Sequence, residues 1–525
     1  MKEKLYRKGI IMKKILGIEL GSTRIKAVLT DECAAVIAQG AYEWENQLVD
    51  GLWSYALADV ETGLQASFAA LAADYRAKFG EPLTELDALG ISAMMHGYLA
   101  FDEKDVLLVP FRTWRNTNTE QAANELTELL SFNIPMRWSV SHFYQAVLSG
   151  EAHVKDVSHI NTLSGYVHYR LTGRRVLGMG DASGMFPVSG GTYDREMAEK
   201  FDALLAEKGV DAHLAALFPT VLAAGEDAGV LTEEGAAFLD PTGTLRPGAI
   251  LCPPEGDAGT GMVATNSVRT GTANVSAGTS GFLMAVLNQP LSRYYPEIDV
   301  VTTPDGAPTA MVHVNNFASE ITAWCNLFAE VIALGGGTPD RNSLFDALYK
   351  KSAEADADCG GLVGYNFLAA EPISGADKGL LMIARTPDGK LSLANFMKMH
   401  IYSSLGSLAI GCEILNRENV KISSVCGHGG FFKTPVVGQS AMSAAVGAPV
   451  TVMSNAGEGG AWGIAVLALY ALEKNGTLGD FLDRIFADAA STTVFADEAE
   501  KAAFGRFMKQ YKAGLGAQKL AAEVL

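Results

Sequence analysis

Apolar and polar positions alternate through residues 15–30, ILGIELGSTRIKAVLT, on both sides of Gly21-Ser22-Thr23. Period two broken by a glycine-bearing turn predicts a β-hairpin. Residues 272–287, TANVSAGTSGFLMAVL, repeat the arrangement around Gly278-Thr279-Ser280. Aligning the two turns puts one strand-turn-strand unit in each half of the chain, which suggests duplication at the scale of a domain. Between the hairpins, 57–78 and 119–130 read as helices, and 86–92 and 249–252 are short apolar runs. That alternation predicts α/β layers. Further on, 391–416 reads as a long helix, 422–426 as a strand, 459–472 as a helix of small residues, and 472–525 as mostly helical. With no low-complexity tract or long linker, the boundary falls near 260–270 as a tight hinge. The expected domains are 14–264 and 265–525. Residues 1–13 stand apart as a disordered or mis-started extension, with Met12 as an alternative start.

Composition narrows the class. The chain has 525 residues, 48% of them hydrophobic and 19% charged, enough to bury two cores and too little charge for disorder. Its 59 acidic and 41 basic residues give a formal charge of −18, which repels nucleic-acid backbones and anionic lipid surfaces. Nucleic acid and membrane are therefore not expected partners. An anionic substrate would need local help from backbone N–H groups, a metal ion or a few placed cations. The six cysteines, Cys33, Cys252, Cys325, Cys359, Cys412 and Cys426, form no C-x-x-C pair and no metal-ligand spacing. They read as reduced core thiols of a cytoplasmic protein. No apolar run reaches the roughly 18 residues of a membrane span, and the opening MKEKLYRKGII is basic without the apolar core of a signal peptide.

Several segments offer chemistry, each with a plainer alternative. In Glu19-Leu20-Gly21-Ser22-Thr23-Arg24-Ile25-Lys26 a carboxylate ends an apolar strand, and the next turn supplies N–H groups, hydroxyls and a lysine. Such a set suits a metal-bound phosphate, and an ordinary solvated hairpin turn fits equally. Asp257, in Gly256-Asp257-Ala258-Gly259-Thr260-Gly261, comes after an apolar run and opens a small-residue helix. It reads either as a carboxylate at a sheet edge or as a helix N-cap. Gly278-Thr279-Ser280 could approach a β- or γ-phosphate without Cβ obstruction, or could be a bare hairpin turn. Gly427-His428-Gly429-Gly430-Phe431-Phe432-Lys433 lies between a strand and a helix, where glycines let the backbone lie flat on a planar or anionic ligand; His428 itself reads as structural. There is no P-loop and no dinucleotide fingerprint. Met94-Met95-His96-Gly97, with Trp53 and Trp114 as aromatic walls, could read sugar hydroxyls; alternatively His96 is a satisfied core histidine.

In this order and spacing, from about Lys14 to Leu472, these segments resemble the FGGY family of carbohydrate kinases. The family's Asp-x-Gly-Thr-x-x-x-Lys is matched by Glu19, Gly21, Ser22 and Lys26, with Glu in place of Asp. Its Gly-x-Gly-Asp, whose aspartate is the base, is matched by Glu255-Gly256-Asp257. Gly278, Thr279 and Ser280 match the Gly-Thr-Ser turn, Gly429 and Gly430 the adenosine-binding turn, and Glu458-Gly459-Gly460-Ala461-Trp462-Gly463 the helix start beside the nucleotide. Met95-His96-Gly97 resembles the sugar-site segment of the xylulokinases. Two segments depart. Trp114-Arg115-Asn116-Thr117-Asn118 stands for Trp-x-Asp-x-Arg, and Ala369-Ala370-Glu371-Pro372-Ile373 for Gly-Glu-Arg-x-Pro.

The resemblance implies an α/β fold of two duplicated actin-like domains, of the ribonuclease H-like type shared by sugar kinases, heat-shock ATPases and actin, with an interdomain cleft. The first domain would bind sugar and end in the base, and the second would bind nucleotide. It implies an ATP- and Mg²⁺-dependent kinase acting on the terminal primary hydroxyl of a ketopentose, D-xylulose first, in the cytoplasm. The expected roles are Asp257 as base; Met95, His96, Gly97, Trp114 and Asp257 on the sugar; Gly21, Ser22, Thr23, Lys26, Gly278, Thr279, Ser280, Gly429, Gly430 and Lys433 on ATP; and Glu19 and Asp257 on the metal. Sugar and ATP are the expected partners, with a homodimer as the assembly to test. Other readings stay open: a kinase of L-ribulose or another ketose or polyol, a noncatalytic sugar or nucleotide sensor of the same fold, and an actin-like or chaperone-type ATPase.

Overall fold

A computed structural model describes residues 12–453 and 459–525. Residues 1–11 of the expected extension and Glu458 lie outside the described residues. The rest divides into two compact units, 12–268 with 300–308 and 459–488, and 269–299 with 309–453 and 489–525.

In the first unit the expected hairpin is present as Ile15–Leu20 and Arg24–Thr30, antiparallel, with Val36–Glu43 continuing the meander. On its other side Ile15–Leu20 runs parallel to Ala88–Ala93, to which Ile250–Leu251 and Glu255–Gly256 also pair in parallel. A sheet with parallel strands in its middle must be covered on both faces, which is why Ala88–Ala93 is buried at every position. Gly17 shows how close one cover lies: a Cβ there would come 2.0 Å from the Ala461 carbonyl oxygen in helix Gly459–Glu473. The other cover is helix Leu57–Phe79, which packs on Val36–Glu43 and ends at Gly80 in the left-handed conformation.

The seven-stranded sheet, whose central strands belong to the second unit, is ordered Ile298–Thr302, Pro308–Val314, Gly281–Val286, Thr272–Ala277, Ser424–His428, Val450–Met453, Ser491–Val494. Its centre repeats the first: an antiparallel hairpin, a third antiparallel strand beside it, and a parallel neighbour beyond the first strand. Helix Leu393–Arg417 supplies much of the core through Met397, Ile401, Leu405, Leu408 and Leu415.

Two expectations change and one, the mostly helical 472–525, holds with an added strand. The stretch 472–525 is helical at Leu478–Phe486 and Glu498–Val524, but Ser491–Val494 is an edge strand antiparallel to Val450–Met453. Four residues are too few to display a period, so only the β-branched Thr-Thr-Val marks it. Helix Gly459–Glu473, near the C-terminal end of the sequence, packs on Ile15–Leu20 in the first unit. All six cysteines are free, but Cys33 is exposed rather than a core thiol. Among the described residues no helix is long and apolar enough to cross a membrane.

Candidate active site

The register of the first sheet sets the site. Glu19 and Ser92 are paired across one ladder and Ser92 and Glu255 across the next. Three neighbouring strands therefore stop together, and the chain leaving them, at Gly21-Ser22-Thr23, Met94-Met95-His96-Gly97 and Asp257, emerges at one carboxyl-terminal edge. Ligands in open parallel sheets bind at such edges. Across the hairpin Glu19 stands opposite Lys26, so seven residues of sequence separation become direct neighbours.

Asp257 is the first residue of helix Asp257–Ala264, and Gly256 holds the cap position. The Asp257 Oδ1 accepts from the Met95 N–H at 3.3 Å and from the Ala258 N–H at 3.0 Å. The residue is exposed to solvent in part, yet this oxygen is engaged by both backbone donors. Burial raises the carboxyl above its ordinary range, and the Met95 and Ala258 donors pull it back. Glu19 sits against the start of helix Gly459–Glu473, where the Ala461 and Gly460 N–H groups donate to it. Burial, then the Asp257 charge, push its pKa up to about 7 against those donors and Lys26. The added methylene of Glu is accommodated because position 460 has no side chain: a Cβ there would lie 2.3 Å from the Glu19 Oε1. A carboxylate whose ionisation is made costlier by a second one nearby suits a bound divalent cation. Mg²⁺ commonly takes one or two protein carboxylates, water and substrate phosphates.

His96 and Gly97 both lie at positive φ, +68° and +95°. The His96 ring is buried with Nδ1 3.0 Å from the Gly184 carbonyl oxygen. A carbonyl only accepts, so Nδ1 carries the proton. Burial, then Arg137, depress its pKa to about 3, and the ring is neutral. Trp114 is exposed, and its Nε1 donates to the Ser22 Oγ at 3.2 Å. Trp53 is instead occupied, with the Arg115 guanidinium 4.0 Å over its ring. Asn116 is structural. It accepts from the Trp53 N–H and donates to the Trp53 carbonyl, both at 2.8 Å, and donates to the Thr113 carbonyl at 3.1 Å.

In the second unit the same edge logic applies. Gly278-Thr279-Ser280 closes the hairpin, with Gly278 N–H bonded to the Ser280 carbonyl at 3.0 Å. The Gly278 and Thr279 carbonyls accept from Ala318 and Phe317 at the start of helix Ser319–Leu334. Gly429, at φ +106°, comes after the parallel neighbour strand Ser424–His428, and a Cβ on it would lie 2.4 Å from the Ala277 carbonyl oxygen. Gly430 has open space around it and Lys433 is exposed. The two glycine turns are thus adjacent. Glu371, in the second departing segment, is buried and accepts from the Asn315 and Asn316 N–H groups and the Asn316 side chain.

Two buried acids escaped sequence reasoning. Asp181 Oδ2 accepts from Thr162 Oγ1 at 2.7 Å and from Ser164 Oγ, and burial raises its pKa to about 6. Glu255 accepts from the Gly180 and Asp181 N–H groups at 3.2 and 2.9 Å. Burial, then Asp181, push it up to about 8. The small-residue run Gly178-Met179-Gly180-Asp181-Ala182-Ser183-Gly184 was the available signal: a Cβ at Gly178 or Gly180 would strike the Glu255 carboxylate.

Residues 14–242 match the FGGY family of carbohydrate kinases, N-terminal domain, and 273–472 match the family's C-terminal domain. The xylulose kinase of Haemophilus influenzae is 24% identical over 361 residues, 66% of this chain and 68% of the relative. That of Klebsiella pneumoniae is 25% identical over 291 residues, 53% of this chain and 55% of the relative. Among solved structures, xylulose kinase from Lactobacillus acidophilus superposes with a TM-score of 0.78 at 17% identity, covering 97% of this chain and 99% of that one. Gluconate kinase from Lactobacillus acidophilus reaches 0.79 at 17%, covering 98% and 99%. One fold thus carries kinases of different sugars, and the likeness identifies the actin-like ATPase architecture without choosing among them. With both domains matched in sequence and the motifs gathered at two equivalent sheet edges, the chain belongs to the FGGY family of carbohydrate kinases and is a sugar kinase phosphotransferase.

Proposed function

We propose that this sugar kinase transfers the γ-phosphoryl group of ATP to the terminal primary hydroxyl of a ketopentose, D-xylulose first. The observation that carries the reading is the hydrogen bond from the Met95 N–H to the Asp257 Oδ1, 3.3 Å, which joins the sugar segment to the base. The Haemophilus influenzae and Klebsiella pneumoniae relatives, both xylulose kinases, support the choice of sugar.

A primary hydroxyl attacks poorly while it keeps its proton. Asp257 takes that proton as the oxygen bonds to phosphorus, the bond between the γ-phosphorus and the β–γ bridging oxygen breaks, and ADP leaves. The Met95 and Ala258 donors keep the Asp257 carboxylate oriented and partly offset the burial that favours its neutral form. His96, with its proton on Nδ1, presents Nε2 as an acceptor for a sugar hydroxyl, and Gly97 and Trp114 flank the sugar. Gly21, Ser22, Thr23 and Lys26 are phosphate-binding residues, as are Gly278, Thr279 and Ser280, and Gly429, Gly430 and Lys433 serve the nucleoside end of ATP. Glu19 and Asp257 are the metal side chains, and bound Mg²⁺ would supply charge neutralisation at the phosphate oxygens.

The test is coupled ADP release over a panel of ketoses, polyols and aldonates with a no-sugar control. Sugar-stimulated turnover, highest with D-xylulose, is expected. Asp257→Asn should lower kcat by at least about 10²-fold while a non-hydrolysable ATP analogue still binds. Turnover within a few-fold of the parent removes Asp257 as the base, and a higher kcat/KM on L-ribulose or a polyol reassigns the sugar.

A further inference from the structure

The Gly21-Ser22-Thr23 turn has an unusual set of partners. Its three carbonyls are all taken by donors: Gly21 by the Trp44 indole Nε1–H at 2.7 Å, Ser22 by the Tyr55 hydroxyl at 2.6 Å, and Thr23 by the Trp44 backbone N–H at 3.1 Å. The Ser22 Oγ in turn accepts from the Trp114 indole at 3.2 Å. Trp44 and Tyr55 are buried and stack with ring centroids 4.3 Å apart, so their donors are fixed by packing. On the donor side, Gly21 N–H closes the turn on Arg24 at 3.0 Å, and the Ser22 and Thr23 N–H groups have no partner among the described residues.

We propose that Trp44, Tyr55 and Trp114 are positioning residues that make this turn a donor-only surface for the phosphates of ATP, a role that rests on reading the turn as a phosphate site. A carbonyl left facing a phosphate oxygen repels it, and an unclamped turn would rotate its peptides between donor and acceptor faces. Engaging every carbonyl from behind leaves the negative ends screened and the N–H ends outward. Trp114 adds a further anchor by donating to the Ser22 Oγ, which holds the side chain of the turn as well as its backbone. Trp44 and Tyr55 touch the turn and not the ligand, whereas Trp114 touches the turn through its indole N–H and flanks the sugar with its ring. All three act on the phosphates through the geometry of the turn.

The experiment is calorimetric binding of the magnesium complex of a non-hydrolysable ATP analogue, without sugar, to the full chain. Tyr55→Phe keeps the stacked ring and deletes one donor. Its affinity should fall roughly three- to tenfold, the worth of one hydrogen bond. In turnover assays its KM for ATP should rise by the same factor with the KM for sugar unchanged. Tyr144→Phe, which deletes a phenol bonded to Glu125 at 2.7 Å away from the turn, should keep the parent values. Trp114→Phe, on an exposed ring, serves as the second variant and should also weaken analogue binding. Parent-strength binding in both Tyr55→Phe and Trp114→Phe, or an equal loss in Tyr144→Phe, overturns the clamp. A parent with no sugar-stimulated turnover would instead overturn the kinase reading, and the binding comparison would still decide the clamp.

Discussion

Glu255→Gln should reverse its effect on stability with pH. The Glu255 carboxyl is buried against the Gly180 and Asp181 N–H groups, and its pKa is raised from 4.5 to about 8 by burial and then by Asp181. A carboxyl raised on folding binds more protons in the folded than in the unfolded chain between those values. The Glu255 contribution to stability is therefore highest at acid pH and declines as pH climbs from about 4.5 to about 8. At about 1.4 kcal/mol per pH unit the whole decline is bounded by about 5 kcal/mol. Glutamine removes the titration but presents its NH₂ to one of the two N–H donors, which costs about 1–3 kcal/mol. The variant should be the weaker protein at pH 5 and the stronger at pH 8, there by about 1–3 kcal/mol or roughly 2–5 °C in its unfolding midpoint. The curves should cross between about pH 5 and pH 7. Thermal unfolding followed by tryptophan fluorescence at pH 5, 6, 7 and 8 measures this directly. A parent-to-variant difference of constant sign and size across that range would refute a buried, proton-linked Glu255.

Two further substitutions probe the fit around Glu19 and the altered sugar-domain segment. Gly460→Ala places a Cβ 2.3 Å from the Glu19 Oε1 and 2.9 Å from the Thr260 Oγ1, so Glu19 must leave the helix start. A loss of about 1–3 kcal/mol and a higher Mg²⁺ requirement for turnover are expected; an unchanged melting midpoint and Mg²⁺ titration would discount the close fit. Asn116→Asp restores the acid of the family pattern but cannot donate to the Trp53 and Thr113 carbonyls. It should lower stability by about 1–3 kcal/mol without creating activity on a new sugar; thermal unfolding beside the sugar panel checks both, and parent-like stability would remove the structural role of Asn116.

The hairpins, the long helices and the α/β class were legible because period and turn chemistry are local. Thr-Thr-Val at 492–494 was not, since a short edge strand gains its identity from Val450–Met453 beside it. The site divides along the same line. Glu19 and Lys26 could be paired from sequence, as a tight hairpin fixes which residues oppose each other. Asp257 could not. By itself it reads as a helix cap, and in the structure it does begin a helix and does accept the Ala258 N–H. What distinguishes it is the second donor, Met95, 162 residues earlier in the chain. That donor arrives only because Glu255–Gly256 and Ala88–Ala93 lie in parallel register. Glu255 and Asp181 were hidden for the related reason that a buried acid is recognised by what surrounds it. The glycines at 178 and 180 make room for a carboxylate supplied from far along the chain. A motif pattern can list the groups at such a site. Their proton affinities, and hence which carboxylate can serve as a base, are set by long-range register and burial.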